Sequence, residues 1–385
     1  MKNIKLMNKI AKIGTDIFDR SVYEVGDAVE APVGMMVRSA ALHDLEFNPE
    51  LTCIARCGAG VNNIPVDRCA EEGIVVFNTP GANANGVKEL TIAALLLASR
   101  NVVGGINWAT SLKGTEGVAK QVEAGKSKFA GCEIKGKKLG VIGLGAIGGM
   151  VANAASALGM QVYGCDPFMT VNAAWNLSST IKKAATFEDI YKTCDYITLH
   201  VPATKDTKGM INKDTLAMMK DGVKIINLAR ADLVVADDIK AALESGKVSS
   251  YVVDFPTDDT VAVDGIVTIP HLGASTAESE DNCAVMAANQ LVDFIENGNI
   301  VNSVNYPNVT LPRSSQNRVC VMHKNIPGVL SKFTTVLSDD GINIENMANG
   351  SKGDFAYTII ETNSSVEHVA DSLKSVDGAI KVIVL

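Results

Sequence analysis

Three residues able to move a proton or hold an anion each follow an apolar run. Arg230 comes after Ile225-Ile226-Asn227-Leu228-Ala229, Asp258 after Val252-Val253-Asp254-Phe255-Pro256-Thr257, and His271 after Ile269-Pro270. Oxidising a secondary alcohol needs a base for the hydroxyl proton, a cation for a neighbouring carboxylate, and commonly an acid that poises the base. Imidazole, guanidinium and carboxylate fill those places, and imidazole suits because its ordinary pKa, about 6.5, lies near neutrality. Each residue alone has a plain structural explanation. Arg230 could be a surface arginine at a strand end, His271 a satisfied loop histidine, and Asp258 one of four acids in a polar stretch with Asp254, Asp259 and Asp264. Their succession behind a nucleotide-type loop favours chemistry.

That loop is Gly143-x-Gly145-x-x-Gly148, entered from the apolar run Leu139-Gly140-Val141-Ile142 and followed by a helical stretch with Ala152, Ala154 and Ala155. The glycines permit a tight turn and close backbone approach to a pyrophosphate, which the helix N-terminus stabilises through its free N–H groups. The next run, Gln161-Val162-Tyr163-Gly164-Cys165, ends in Asp166, 18 residues beyond Gly148. A carboxylate there accepts from ribose hydroxyls and repels the 2′-phosphate of NADP, and Pro167-Phe168 supplies no arginine to rescue it, so NAD is expected.

The elements that position these groups alternate strand and helix. Strand-like runs occur at residues 4–7, 35–37, 51–55 and 74–77, then at 139–142, 161–165, 196–200, 223–228, 250–254 and 267–269. A long helical period covers 85–103, and another helix covers 276–296. Lysines gather at 126–138, interrupted by Glu133, and suggest a solvated linker. Such alternation implies an α/β protein with two doubly wound parallel-sheet domains. Residues 297–317 lose periodicity, and 318–385 read as βαββαβ, a smaller α+β domain. The boundaries expected are 1–84 with 277–305 for a substrate domain, 85–276 for a Rossmann nucleotide domain, 306–317 for a linker and 318–385 for the last domain.

Composition narrows the classes. At 385 residues the chain exceeds one ordinary core, and 47% hydrophobic with 20% charged residues is a globular balance. A net charge of −8 without a basic run argues against nucleic acid as a partner. The eight cysteines are scattered without a C-x-x-C pair, several within apolar runs, as buried small side chains of a reducing cytoplasm would be. No apolar stretch reaches membrane-spanning length, and neither a metal site nor a membrane partner is expected.

Pro270-His271-Leu272-Gly273-Ala274-Ser275-Thr276, Gly58-Ala59-Gly60-Val61-Asn62-Asn63-Ile64 and Asn78-Thr79-Pro80-Gly81-Ala82-Asn83 resemble signatures of the D-isomer-specific 2-hydroxyacid dehydrogenases, specifically the branch ending in an ACT domain. Similarity runs over essentially the whole chain. The resemblance implies NAD-dependent oxidation of 3-phosphoglycerate, with glyoxylate or hydroxypyruvate reduction, or a non-catalytic dinucleotide-binding regulator, as alternatives. His271 becomes the acid/base, Arg230 the cation at carboxylate and carbonyl, and Asp258 the partner of His271, with Asp259 its rival. Ala59 and Gly60 would hold the carboxylate, Arg38 and Ser39 the phosphate, and Asn83 would border the substrate.

For NAD the implied contacts are Gly143, Gly145, Ala146, Ile147, Gly148, Asp166, His200, Val201, Pro202, Leu228, Ala229, Arg230, Asp254, His271, Gly273 and Ala274. Ala40 stands where some members carry a second phosphate-binding arginine, and Lys126 or Lys128 of a neighbouring subunit is expected to replace that charge. Val321-Met322-His323-Lys324-Asn325-Ile326-Pro327-Gly328 and Gly341-Ile342-Asn343 resemble the ligand-sensing segments of an ACT domain, which implies an L-serine effector at His323, Asn325 and Asn343. A homodimer or homotetramer is expected.

Overall fold

The computed structural model describes residues 1–315 and 317–385; Gln316, within the stretch read as a linker, lies outside the described residues. The chain forms two compact units, Met1–Asn83 with Ala277–Leu385, and Ala84–Thr276.

In the first unit, β1 (Lys2–Leu6), β2 (Tyr23–Gly26), β3 (Gly34–Val37), β4 (Cys53–Arg56) and β5 (Val75–Phe77) make a parallel sheet in the order β2-β1-β3-β4-β5. Strands β3 and β5 are buried throughout, as a parallel sheet covered on both faces requires. Strand β2 has no counterpart among the strand-like runs, because at the sheet edge only Tyr23 is buried and no apolar run marks it.

The second unit holds a seven-stranded parallel sheet. It comprises β6 (Lys138–Ile142), β7 (Gln161–Cys165), β8 (Lys182–Lys183), β9 (Tyr196–Leu199), β10 (Val223–Asn227), β11 (Val248–Val253) and β12 (Ile266–Thr268), ordered β12-β11-β10-β9-β6-β7-β8. Apolar clusters cover both faces, one around Ile197, Ile225 and Tyr251, the other around Leu139, Tyr196 and Val252. Chain order reverses at β6, which puts the end of β6 at the ligand crevice of a doubly wound sheet. The helical period at 85–103 resolves into Ala84–Ser99 and a separate helix, Val102–Ser111. The lysine-rich segment opens as a 3-10 turn, Lys126–Phe129, where Phe129 packs on Trp108 with centroids 5.3 Å apart. Only 130–137 of the expected solvated linker is without helix or strand, since the aromatic pair joins residues too distant for local periodicity.

The last 69 residues form β13 (Asn317–Lys324), β14 (Ile344–Lys352), β15 (Phe355–Thr362) and β16 (Ala379–Val384), an antiparallel sheet ordered β14-β15-β13-β16. Strand β13 alternates cleanly. Val319 and Val321 face helices Val329–Asp339 and Ala370–Lys374, whereas Cys320 and Met322 join a core with Ile4, Phe77 and Phe294. This sheet is therefore fused to the first unit's core. The stretch without periodicity, 297–317, contains a packed strap: Tyr306 is fully buried and donates to the Ala70 carbonyl at 2.6 Å, while Asn305 bonds the Val76 N–H and the Ile74 carbonyl. Its bonds go to remote backbone, so it needs no period of its own.

Among the described residues no single helix is long and apolar enough to cross a membrane; Ala84–Ser99 and Val102–Ser111 qualify only as a pair bent by 70°. No group of three or more His, Cys, Asp or Glu is gathered among them to hold a metal.

Candidate active site

The turn after β6 is built by its glycines. Gly143 has φ 87°, and a side chain there would lie 2.6 Å from the His200 carbonyl. A Cβ on Gly148 would lie 1.9 Å from the Gly143 carbonyl, so this position seals the strand–helix contact. A Cβ on Gly145 would meet nothing within 4 Å, which leaves an open approach to the N-terminus of helix Ala146–Ala157, itself without a side-chain cap. Ala146 is exposed and Ile147 half-buried beside it. Asp166 accepts the N–H of Leu144 and of Phe168, both at 2.8 Å, and borders a cavity of about 440 Å3 with Leu144, Gly145 and Met169. His200 follows β9, half-buried, with its ring bonded to the Thr198 hydroxyl, and desolvation lowers its pKa to about 4. Val201 and the exposed Pro202 continue this rim.

Two buried polar residues at neighbouring strand ends hold the next two turns. Asn227, fully buried at the end of β10, donates to the Arg230 carbonyl at 2.8 Å and accepts from the N–H of Ala229 and Arg230. The turn from Leu228 to Arg230 is thereby fixed, and Arg230 reaches solvent. Asp254, just past β11, accepts the N–H of Leu272 at 2.7 Å and of Gly273 at 2.8 Å. Burial raises the Asp254 pKa against these bonds. The bonds hold His271 in a left-handed turn with φ 54°, a conformation that needs outside support in a non-glycine residue. Gly273 lets the chain pass close beside it, since a Cβ there would lie 3.0 Å from Asp254 Oδ2. Phe255 joins the two turns: the His271 ring packs against it, tilted by 50° with centroids 4.5 Å apart, and the Arg230 guanidinium lies 5.6 Å from its centroid. The structure thus brings Arg230 and His271 together on one aromatic ring.

In the first unit, Arg38, Ser39 and Ala40 follow β3, and all three backbone N–H groups point at Asn8 Oδ1, at 2.9, 3.0 and 3.1 Å. Arg38 Nη2 lies 2.6 Å from Glu280 Oε1 on helix Ala277–Asn297. On neighbouring β4, Arg56 pairs in register with Val37, so the two arginines stand at adjacent strand ends. The Arg56 guanidinium crosses Gly58, where a Cβ would be 1.3 Å from Nη1. Next in the loop, the Ala59 and Gly60 N–H groups have no acceptor among the described residues, while Asn78 anchors the loop through the Ala59 carbonyl at 2.7 Å. Asn83, half-buried, closes this segment.

Comparison with known proteins supplies the family. Residues 93–273 match the NAD-binding domain of D-isomer-specific 2-hydroxyacid dehydrogenases, and residues 320–383 match an ACT domain like that of the AHAS small subunit. A protein of Haemophilus influenzae named D-3-phosphoglycerate dehydrogenase is 31% identical over 355 residues, covering 89% of this chain and 83% of its own. The chain belongs to the D-isomer-specific 2-hydroxyacid dehydrogenases. The namesake from Bacillus subtilis is 32% identical over 80% of this dehydrogenase, which spans 58% of that longer protein. A solved 3-phosphoglycerate dehydrogenase from Entamoeba histolytica with bound NAD+ superposes with a TM-score of 0.60 at 26% identity, covering 79% of the present chain and 98% of its own.

This dehydrogenase is NAD-dependent, and its loop fits the cofactor. The space left by Gly145 and the uncapped amides suit a pyrophosphate, while Asp166 suits a ribose. Asp258, however, makes no bond or ion pair with His271 among the described residues. It is exposed in a turn whose Thr260 N–H donates to Thr257 O and whose Thr257 N–H donates to Thr260 Oγ1, which aims the intervening acids at solvent. Asp259 instead lies 3.7 Å from Lys240. The group that positions His271 is Asp254. In the ACT sheet, His323 is buried with its ring bonded to the Lys324 carbonyl and the Thr358 hydroxyl. Asn325 donates to the Gly353 carbonyl, and the Asn343 N–H bonds the Asn363 side chain.

Sequence reasoning missed Asn8, Arg56, Asn227 and Glu280 as parts of these turns. A signal existed for Asn227 and Arg56, each a polar residue closing an apolar strand at its C-terminal end, where α/β sheets bind ligands. For Asn8 and Glu280 there was none, because each works through a residue far away in sequence.

Proposed function

We propose that this dehydrogenase oxidises D-3-phosphoglycerate to 3-phosphohydroxypyruvate, reversibly, as the first step of a phosphorylated route to L-serine. Arg38 and Arg56 at adjacent strand ends carry this reading, because together they offer two guanidinium groups to a dianionic phosphate beside the open amides of Ala59 and Gly60. In this reading those amides take the substrate carboxylate, and Asn83 borders the carbon chain. The names of the relatives agree with this substrate.

His271 takes the hydroxyl proton of the alcohol on its ring, and returns one to the oxo group in the reverse direction. Arg230 polarises the carbonyl oxygen and balances the carboxylate. Bound NAD supplies a hydride acceptor. Asn227 and Asp254 keep in place the two backbone turns that carry the side chains of Arg230 and His271. Phe255 shields one side of each from water. Following NADH absorbance with 3-phosphohydroxypyruvate and with glyoxylate tests the assignment. Faster turnover of the phosphorylated acid, lost in His271→Ala, is expected, and preference for glyoxylate would reject it.

The enzyme works as a homo-oligomer of the cytoplasm in this reading. Helix Val102–Ser111 buries none of its residues and exposes Val102, Val103 and Ile106, which suits pairing with a second copy. Lys126 or Lys128 would then bring a charge to the partner's substrate, after Lys126 leaves Glu123, which it holds at 2.5 Å. Lys126→Ala should raise the Michaelis constant for the phosphorylated substrate. L-serine would bind the ACT sheet near Asn325 and Asn343, with His323 ordering the loop from beneath. Calorimetry without serine binding heat would remove the effector.

A further inference from the structure

Arg38 is not idle in the substrate-free enzyme. Its guanidinium holds the Glu280 carboxylate at 2.6 Å, with both side chains a little under half exposed. Its backbone cannot swing the group away, because the N–H groups of residues 38, 39 and 40 are all tied to Asn8. Glu280 stands in the first turn of helix Ala277–Asn297, whose Cys283, Ala284 and Ala287 are buried in the core, so this carboxylate also has a fixed base. A dianion arriving at Arg38 must therefore displace Glu280 from the guanidinium or share it across a short distance with like charge.

We propose that Glu280 is a positioning residue that parks Arg38 and competes with the substrate phosphate for it, setting a deliberately weak hold on the phosphorylated acid. This rests on Arg38 serving as a phosphate-binding cation. An exposed ion pair contributes little, so its displacement lowers affinity modestly without closing the site, and the remaining carboxylate repels the dianion. Both effects act on the phosphate and neither on the reacting carbon. The Michaelis constant should carry the whole change. A dehydrogenase tuned this way responds to substrate over a higher concentration range.

Steady-state kinetics of the full chain test this with 3-phosphohydroxypyruvate and with hydroxypyruvate, the same 2-oxo acid without phosphate. Glu280→Gln keeps size and hydrogen bonding while removing the charge. It should lower KM for the phosphorylated acid about fivefold, leave kcat unchanged and leave KM for hydroxypyruvate unchanged. Glu280→Ala should move KM the same way, and in an Arg38→Gln background the gain should shrink. A purely structural role would instead lower kcat or shift both substrates together. If Arg38→Gln raises KM for the phosphorylated acid but Glu280→Gln leaves it unchanged or raises it, the competition is refuted and the role of Arg38 stands. If Arg38→Gln leaves that KM untouched, both fall.

Discussion

The backbone N–H of Asp254 donates to the carbonyl of Asn227 across 3.1 Å, linking the two residues that hold the Arg230 and His271 turns. Each is polar, buried and placed at the end of a neighbouring strand, Asn227 at 0% and Asp254 at 1% exposure. A buried polar group costs free energy unless bonded, and here the bonds that satisfy it also fix a turn. Two separate loops thereby share one rigid base.

Asp254→Asn tests that base. The carboxylate meets two N–H donors with two acceptor oxygens, whereas an amide presents one acceptor and an NH2 group. One of the Leu272 and Gly273 N–H groups would lose its partner, and the strained His271 turn would relax. Because displacing a catalytic group by about 1 Å can cost about 100-fold in rate, kcat should fall by about that factor. A variant with unaltered kcat would show that the turn holds His271 without this carboxylate.

The strands and the glycine loop could be read from the sequence because each depends on a local pattern, an apolar run ending in glycine or a charged residue. The surroundings of Asp258 were not legible, because the Thr257–Thr260 turn that carries it is encoded by no periodicity. The strap at 298–315 was opaque for a related reason. Asn305 and Tyr306 satisfy residues some 230 positions away, and composition alone makes them resemble a tether.

Two glycines of one motif should fail differently. Gly145→Val adds a side chain where its Cβ meets nothing, so the fold should melt normally while NADH affinity drops more than about tenfold as the pyrophosphate approach closes. Gly148→Ala puts a methyl 1.9 Å from a backbone carbonyl and should cost about 1–3 kcal/mol of stability. Thermal melts alongside NADH fluorescence titration separate them; equal melting temperatures would contradict the packing role of Gly148.

Acid should find His200 before it finds the carboxylates. Its pKa of about 4, lowered by desolvation, lies below the ordinary 6.5, so the unfolded chain binds this proton first. Its contribution is fully present above about pH 6.5 and is lost as pH falls towards 4. His200→Gln can still bond Thr198 and removes that titration. Unfolding free energies from urea titrations between pH 7 and 4.5 should decline less steeply in the variant, and parallel declines would exclude His200 as the source.

At lower pH the ACT junction should give way. Arg318 and Glu361 are fully buried and 2.6 Å apart; Arg318 also donates to the carbonyls of Asn297 and Leu311, and Glu361 accepts from Ser314. Burial alone would raise the Glu361 pKa, but the bonds from Ser314 and Arg318 outweigh it and hold it at about 2. That stabilisation is complete above about 4.5 and is lost as pH falls towards 2. Glu361→Gln leaves the guanidinium buried without a counter-charge, which should cost about 3–5 kcal/mol. Arg318→Met combined with Glu361→Gln should cost less than the two singles summed, since the stranded cation is gone, and chemical unfolding of all four proteins measures the coupling. Strict additivity would mean that the strap and the ACT sheet are held by their apolar core alone, with the ion pair energetically silent.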